Sequence, residues 1–169
     1  MDAFAAWLHA TPFSQTIQSV HWIIPFLQSV HIVMIGVVFV SSLVIALRVL
    51  GKMRADETFG DVWSRFAPWL WAAFFTMLAT GLLLIVGEPA REFDSTSFWL
   101  KMGLVILAVS LTVALRAMMR AAPHDAASPL EGPARPTAIT LVVLWVFIVF
   151  LGRAIAYDTE VWGRLSLQS

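Results

Sequence analysis

The sequence contains no cysteine and little charge. Charged residues make up 13% of its 169 residues, and the formal net charge at pH 7 is zero. The lack of cysteine excludes disulfides, iron–sulfur clusters and thiolate sites for zinc or copper. The lack of a basic excess means that the chain has no electrostatic footprint of nucleic-acid binding. The sequence also shows no nucleophile–base pair, phosphate-binding loop or metal-ligand cluster, so it leaves open whether the protein is an enzyme.

Apolar residues are abundant instead. They make up 59% of the sequence, against about 45–50% in soluble domains, and the mean hydropathy is +0.81. A membrane-spanning helix needs about 18 or more largely uncharged residues. Four stretches meet this criterion, at about residues 22–47, 67–86, 98–115 and 139–157. The sequence therefore predicts an all-α integral membrane four-helix bundle, formed as a single transmembrane domain over residues 1–169.

The N-terminal part predicts two helices. Asp2–Ala10 has the pattern of a short amphipathic helix, which we expect to lie in the lipid headgroup layer. Thr11 followed by Pro12 is a helix start, with a cap residue ahead of a proline at the first helical position. No breaker follows until Pro25, and proline inside a helix usually kinks it. We therefore expect one long first transmembrane helix from about Pro12 to Leu50, kinked near Pro25.

The connectors between the spans carry breaker and cap residues. Gly51 ends the first predicted helix, and Ser95 or Ser97 can cap the third span. Residues 121–136 are rich in Ala, Pro and Ser, which predicts a mobile loop.

Lysine and arginine are unevenly distributed between the two sides of the predicted bundle. The side with loops one and three carries Arg48, Lys52, Arg54, Arg65, Arg116, Arg120 and Arg135. The other side carries Arg91, Lys101, Arg153 and Arg164. Positive charge favours the cytoplasmic side. We therefore expect a multi-pass protein of the bacterial inner membrane, with both termini in the periplasm.

A polar stripe runs along the first span. At about 100° per residue, His21, Gln28, His31 and Ser42 fall within roughly 80° of arc. Lipid offers no hydrogen bonds to polar side chains, so such a stripe should face other helices or a cavity. His31 lies about 13 Å below Trp22, near the middle of the bilayer. An ionisable side chain at this depth indicates a functional site, although polar residues can also simply hold helices together.

Further candidate residues lie on the other spans. Glu88, Lys101 and Arg153 lie within about two turns of the outer ends of the second, third and fourth spans. They could form a charged vestibule above His31, with a Glu88–Lys101 or Glu88–Arg153 pair, or they could simply be solvated at the interface. Trp145 lies in the middle of the fourth span, where it could line a pocket beside His31.

The histidines limit the chemistry that is possible. His21 and His31 are about 15 Å apart on the same predicted helix, so they cannot ligate one iron. Haem b would need His31 with Met77, His31 alone, or His31 from two copies of the chain. A quinone is less demanding, since one histidine can hydrogen-bond its carbonyl. Proton or small-solute permeation would need a continuous wet path, which the apolar inner halves of the helices do not favour.

Short motifs along the chain resemble those of a bacterial inner-membrane family of four-helix proteins with a domain of unknown function. The motifs are the amphipathic start Met1–Thr11, Ser-Val-His-Ile-Val around His31, Leu47-Arg48 with Leu50-Gly51, Pro68-Trp69, Thr80-Gly81-Leu82-Leu83, Phe98-Trp99-Leu100-Lys101-Met102 and Gly152-Arg153. The resemblance implies four helices with polar residues on the periplasmic side, and no established activity. A looser likeness to membrane cytochrome b and copper-resistance membrane proteins suggests haem or copper, with His31 as the metal ligand.

Two hypotheses of function follow. In the first, the protein is a redox accessory subunit that binds haem b or a quinone in an outward-facing pocket around His31. The residues expected at this pocket are His31, His21, Gln28, Lys101, Arg153, Glu88 and Trp145. In the second, it is a non-catalytic assembly or interaction subunit without a cofactor. The expected partners are the lipid bilayer and either further copies of the chain or a larger membrane complex.

Overall fold

The computed structural model describes residues 2–122 and 130–167, and within these two ranges the fold is entirely helical. The helices are α1 (Asp2–His9), α2 (Pro12–Ser19), α3 (Ile23–Val49), α4 (Phe59–Gly87), α5 (Pro89–Phe93), α6 (Thr96–Ala121), α7 (Ala134–Ala154) and α8 (Asp158–Trp162). Short 3₁₀ turns, Ile155–Tyr157 and Gly163–Leu165, lie on either side of α8. The all-α fold class expected from the sequence is confirmed.

Four helical stretches in the described ranges are long and apolar enough to cross a membrane. They are α3, α4, α6 and Ala134–Trp162, which begins with α7. Each of them exposes large apolar side chains. Ile32, Trp69, Ile106 and Phe150 are each at least 66% exposed. Side chains of this kind contact acyl chains at little cost. The chain is therefore a multi-pass membrane protein in contact with the lipid bilayer.

The expected single helix from Pro12 to Leu50 is wrong. The structure has two helices, α2 and α3, separated at residues 20–22, where Val20 is extended. Pro25 explains the position of this break. A proline ring clashes with the carbonyl group four residues earlier in a continuous helix, and that residue is His21. The chain therefore leaves the helix before His21, and Pro25 stands in the first turn of α3, where its missing N–H is not needed. A break ahead of Pro25 thus replaces the expected kink.

Both ends of the first loop have recognisable caps. Gly51 follows α3 with a positive φ of 68°, and the N–H of Lys52 donates to the Leu47 carbonyl at 2.9 Å. Such a left-handed glycine is a common helix terminator, so the predicted end at Gly51 is confirmed. α4 begins at Phe59, well before the predicted span at residue 67. Thr58 caps it by accepting from the Asp61 N–H at 3.1 Å.

The loop is predicted at residues 121–136. Ala121 still belongs to α6, and residues 123–129 lie outside the described residues. Its last three positions, 134–136, are already helical and belong to α7. Just before them, the N–H of Leu130 donates to the Val49 carbonyl at 3.0 Å.

The contacts divide the chain into two compact units, and each is built from segments of all four long helices. The first consists of Met1–Ile35, Phe75–Gly103 and Val149–Ser169. Here Ser14 on α2 donates to the Val86 carbonyl at 2.6 Å, and Gly87 leaves room for Ile17 beside it. Phe4 on α1 stacks edge to face with Phe93 on α5 at 5.7 Å. These contacts attach α1 and α2 to the end of α4 and to α5.

The buried carboxylate of Asp158 connects α8 to the start of α6 within the first unit. Asp158 at the start of α8 is 1% exposed. Its Oδ1 accepts from the Ser95 hydroxyl at 2.8 Å and from the Ser97 N–H at 2.9 Å. Its Oδ2 accepts from the Thr96 N–H at 3.2 Å and from the Ser166 hydroxyl at 2.7 Å. A carboxylate is favoured at a helix N-terminus because the first N–H groups there have no partner within the helix.

The predicted cap of the third span is also confirmed. Ser95 Oγ accepts from the Phe98 N–H at 3.2 Å. Ser97 has a different role, because its Oγ accepts from the indole N–H of Trp162 at 2.8 Å. The start of α6 is therefore stabilised by its cap residue, Ser95, and by the hydrogen bonds of Asp158 and Trp162 from α8.

The second unit consists of Gly36–Phe74 and Leu104–Ile148. Its core includes Val38, Ile45, Val62, Leu115, Leu141 and Trp145, each at most 1% exposed. Arg48, in the last turn of α3, is also fully buried. Its Nε donates to the Glu57 carbonyl at 2.7 Å, and its guanidinium lies 4.0 Å from the centre of the Phe59 ring. This arginine connects the end of α3 to the loop ahead of α4.

The carboxylate of Asp158 provides a test of this packing. Asp158→Asn would replace one acceptor oxygen with an NH₂ group. This group cannot accept hydrogen bonds from the hydroxyl and backbone N–H donors around it. We expect a loss of about 3 kcal/mol, the value of a hydrogen bond to a buried charged group. The measurement is the melting temperature of the purified protein in detergent. The matched control is Glu160→Gln, an exposed position on the same helix. Equal melting temperatures for the two variants would contradict a structural role for the cap.

Candidate functional site around His31

The His31 imidazole in the first unit is held by a threonine of another helix. Its Nδ1 lies 2.9 Å from Oγ1 of Thr80 on α4, a residue that is 7% exposed. The same hydroxyl lies 3.0 Å from the carbonyl oxygens of Thr76 and Met77. Helical threonines commonly donate to such carbonyls. The hydroxyl has one proton, so it accepts from the imidazole. This arrangement favours the Nδ1–H tautomer, which leaves the lone pair on Nε2.

The residue after Thr80 makes room for the ring. A Cβ atom at Gly81 would lie 3.3 Å from Cε1 and 3.8 Å from Nδ1 of His31. The imidazole therefore lies close to the backbone of α4. Met77 is 6% exposed and lies one turn earlier on α4. Positions 77, 80 and 81 share one helix face by their i, i+3, i+4 spacing.

Two of the predicted vestibule residues have local partners. Glu88 forms an ion pair with Arg91 at 2.5 Å, three residues along the chain. Arg153 is exposed; it donates to the Tyr157 hydroxyl at 3.1 Å and lies 5.0 Å from the centre of that ring. Glu88 therefore pairs with Arg91, and not in the expected way with Lys101 or Arg153.

Among the predicted vestibule residues, Lys101 is the one that interacts electrostatically with His31. It acts electrostatically on His31 and on Glu92, and its Nζ lies 5.3 Å from the centre of the Phe98 ring. Burial raises the pKa of the Glu92 carboxyl, while Lys101 and Arg91 act in the opposite direction. Lys101 therefore places a positive charge within electrostatic range of the His31 imidazole. The partly buried Glu92 carboxyl interacts with the same charge.

The remaining predicted site residues differ in their surroundings. His21 is exposed in the turn between α2 and α3, and Gln28 is half-buried one turn before His31. Trp145 belongs to the second unit, where it is 1% exposed. Within the part of the chain that the structure describes, its indole N–H has no hydrogen-bond partner.

Two cavities of the described residues both lie in the second unit, and His31 lines neither of them. Residues 2–122 and 130–167 also contain no cluster of three or more His, Asp or Glu side chains that could hold a metal ion.

Sequence reasoning assigned no role to Thr80, Glu92 or Asp158. For Thr80 a signal was available, because a threonine followed by glycine is unusual in the middle of an apolar helix, and its depth can be compared with that of His31. Glu92 and Asp158 offered no such signal, since their partners come from other helices.

Comparison with known proteins shows the family. No curated protein and no solved structure matches the chain. A match to a family described as "Family of unknown function (DUF6644)" extends over residues 10–158. This range contains His31, Thr80, Gly81 and Lys101. The expected membership of an uncharacterised family is thus confirmed, and the chain belongs to the family of unknown function DUF6644.

Proposed function

We propose that the protein is a redox accessory subunit of the bacterial inner membrane that binds a quinone or haem b at His31. The observation that supports this is the hydrogen bond between His31 Nδ1 and Thr80. It orients the ring and leaves Nε2 as an acceptor or a metal ligand. Imidazoles that bind metals are usually oriented in this way, by a hydrogen bond from the other nitrogen.

A quinone is the ligand that fits these residues better. In the Nδ1–H tautomer, Nε2 can accept the hydroxyl proton of a quinol, and the site needs no second histidine. A quinone is lipid-soluble and can reach a half-buried imidazole on a helix whose neighbouring residues, Ile32 and Val33, are 67% and 59% exposed. A bound quinone would supply two-electron chemistry coupled to protons. Lys101 lies within electrostatic range to favour a developing negative charge.

The residues around His31 meet one of the two axial-ligand requirements of haem b. His31 Nε2 would provide one axial ligand, and haem would supply one-electron chemistry. The opposite ligand would have to come from the thioether of Met77 or from His31 of a second copy. Lys101 would then be available to a propionate. The shortage of histidines makes haem the less favoured of the two ligands.

The second candidate function is that of an assembly subunit without a cofactor. The observation in its favour is the same hydrogen bond, because it joins α3 to α4. Interhelical hydrogen bonds in membranes contribute about 0.6–2 kcal/mol. In this case His31 holds helices together and binds no ligand.

His31→Gln is the first test of the ligand. Quinone binding should weaken at least tenfold, because the basic nitrogen is lost while hydrogen bonding to Thr80 remains possible. The measurement is a titration of the purified protein with decylubiquinone, followed by tryptophan fluorescence, with a dithionite-reduced absorbance spectrum to detect haem. The matched control is His9→Gln, which changes an exposed histidine of α1 outside the proposed pocket.

Several outcomes decide between the hypotheses. Binding that is equal in the two variants would overturn the assignment of His31. If the wild-type protein binds no quinone and shows no Soret band after haem-supplemented expression, the redox proposal fails. If His31→Leu then changes the oligomeric state, the assembly function gains support.

Thr80→Val tests the orientation of the ring separately. Valine keeps the shape of threonine but removes the acceptor for Nδ1–H. At metal sites, loss of such a supporting hydrogen bond typically weakens metal binding by about 10–100-fold. We expect decylubiquinone affinity to fall by about tenfold. Thr112→Val is the control, because Thr112 is 3% exposed and its hydroxyl donates to the Ala108 carbonyl of its own helix. An unchanged affinity in Thr80→Val would show that Thr80 does not orient a ligand-binding imidazole.

The predicted topology has its own test. The absence of native cysteine means that a single introduced thiol has no background. Thr159→Cys and Ala55→Cys replace exposed residues in α8 and in the first loop. The positive charge of that loop favours the cytoplasm. A membrane-impermeant maleimide should therefore label Thr159→Cys in intact cells and Ala55→Cys only after lysis. The reverse pattern would invert the proposed orientation.

A further inference from the structure

A cavity in the second unit lies between the start of α4 and the end of α6. Its volume is about 160 Å³. One water molecule takes up about 30 Å³ in the liquid, so the space suits a group the size of a phosphate. Its lining residues are Thr58, Phe59, Gly60, Trp63, Arg116, Met119, Arg120 and Ala122.

The charged side chains that line this cavity are both arginines. Arg116 and Arg120 are one helical turn apart on α6, so they share a face. The guanidinium of Arg116 lies 5.3 Å from the centre of the Trp63 ring. Its Nε is buried and has no hydrogen-bond partner among the described residues. A buried charged donor without an acceptor is costly, and an anion in the cavity would supply the acceptor.

The first turn of α4 faces the same space through Phe59 and Gly60. The N–H groups of a first helical turn have no partner within the helix, and they favour an anion. Thr58 satisfies the N–H of Asp61, the third residue of the turn. The same turn carries the Asp61 carboxylate, which accepts from the Thr58 hydroxyl at 2.7 Å. The positive charge of the lining therefore comes from the two arginines.

A second cavity adjoins the first and is mainly apolar. It shares Trp63 and Arg116 with the first cavity, and has a volume of about 370 Å³. Ser64, Ala67, Pro68 and Trp71 complete its lining. Residues 63, 67 and 71 are spaced by four along α4 and form a strip along the helix. An acyl chain can lie along such a strip while its headgroup remains at the arginines.

We propose that these adjoining cavities bind one anionic phospholipid. Its phosphate contacts Arg116 and Arg120, and an acyl chain follows Trp63, Ala67 and Trp71. A free phosphate shares the charge but not the need for an apolar strip. The Lys and Arg excess expected for the cytoplasmic leaflet agrees with this ligand, since that leaflet holds the anionic lipids, and basic pockets between helices bind their headgroups. This proposal does not depend on the role of His31.

The experiment uses the full chain in detergent and titrates it with dioleoylphosphatidylglycerol. Native mass spectrometry measures the fraction of protein with one lipid bound, and dioleoylphosphatidylcholine is the zwitterionic comparison. We expect phosphatidylglycerol to bind more tightly than phosphatidylcholine. Arg116→Gln should weaken phosphatidylglycerol binding about tenfold, as expected for one charge-assisted hydrogen bond. Arg135→Gln is the matched control, since it removes the same charge at an exposed position of this unit.

Two further variants keep the test informative if Arg116→Gln does not fold. Arg120→Gln changes an exposed side chain and should weaken binding severalfold, and Arg116→Lys keeps the charge but removes the planar donor. Equal losses in the Arg116, Arg120 and Arg135 variants would indicate diffuse attraction and overturn the proposal. So would equal binding of the two lipids. A site that binds inorganic phosphate as tightly as phosphatidylglycerol would be a free-anion site, which also overturns the lipid assignment.

Discussion

Hydrocarbon offers no hydrogen bonds, and this constraint decides where each polar side chain of the spanning helices can lie. His31 bonds to Thr80, and that hydroxyl bonds in turn to carbonyls of its own helix. Asp158 accepts from backbone and hydroxyl donors at the start of α6. Arg48 donates to the Glu57 carbonyl and lies against the ring of Phe59. Apolar residues, by contrast, are free to face lipid, and many of the largest do so.

The same constraint explains why so much of the fold could be predicted from the sequence. A spanning helix must be long and apolar, so the four stretches stand out by composition alone. The caps at Gly51 and Ser95 follow from local chemistry. The break between α2 and α3 differs from the kink predicted at Pro25 for a physical reason. A proline ring clashes with the carbonyl group four residues earlier, at His21, so the disruption of the helix lies ahead of the proline.

The candidate site was less predictable, because its contacts link distant parts of the sequence. Glu88 had several possible cations at a similar depth, and it pairs with Arg91, the one that is three residues away. Nearness along the chain outweighed the shared depth of Lys101. Three partners of Asp158, at residues 95–97, are 61–63 residues earlier in the chain, and no periodicity in one sequence shows such a pairing. The vestibule of Lys101, Arg153 and Glu88 above His31 stays a prediction.

The hydrogen bond between His31 and Thr80 bears on both proposed functions. Two helices held together by an imidazole would be most stable with both ring nitrogens satisfied, since a polar atom without a partner is costly in hydrocarbon. Thr80 lies at Nδ1, and the backbone of Met77 is a further hydrogen-bond partner of the ring. Gly81 lets the ring lie close to the backbone of α4, which fixes its position without occupying Nε2. In the redox proposal, a quinol hydroxyl or a haem iron would contact Nε2. In the assembly proposal, the bonds of the ring to α4 would themselves hold the two helices together.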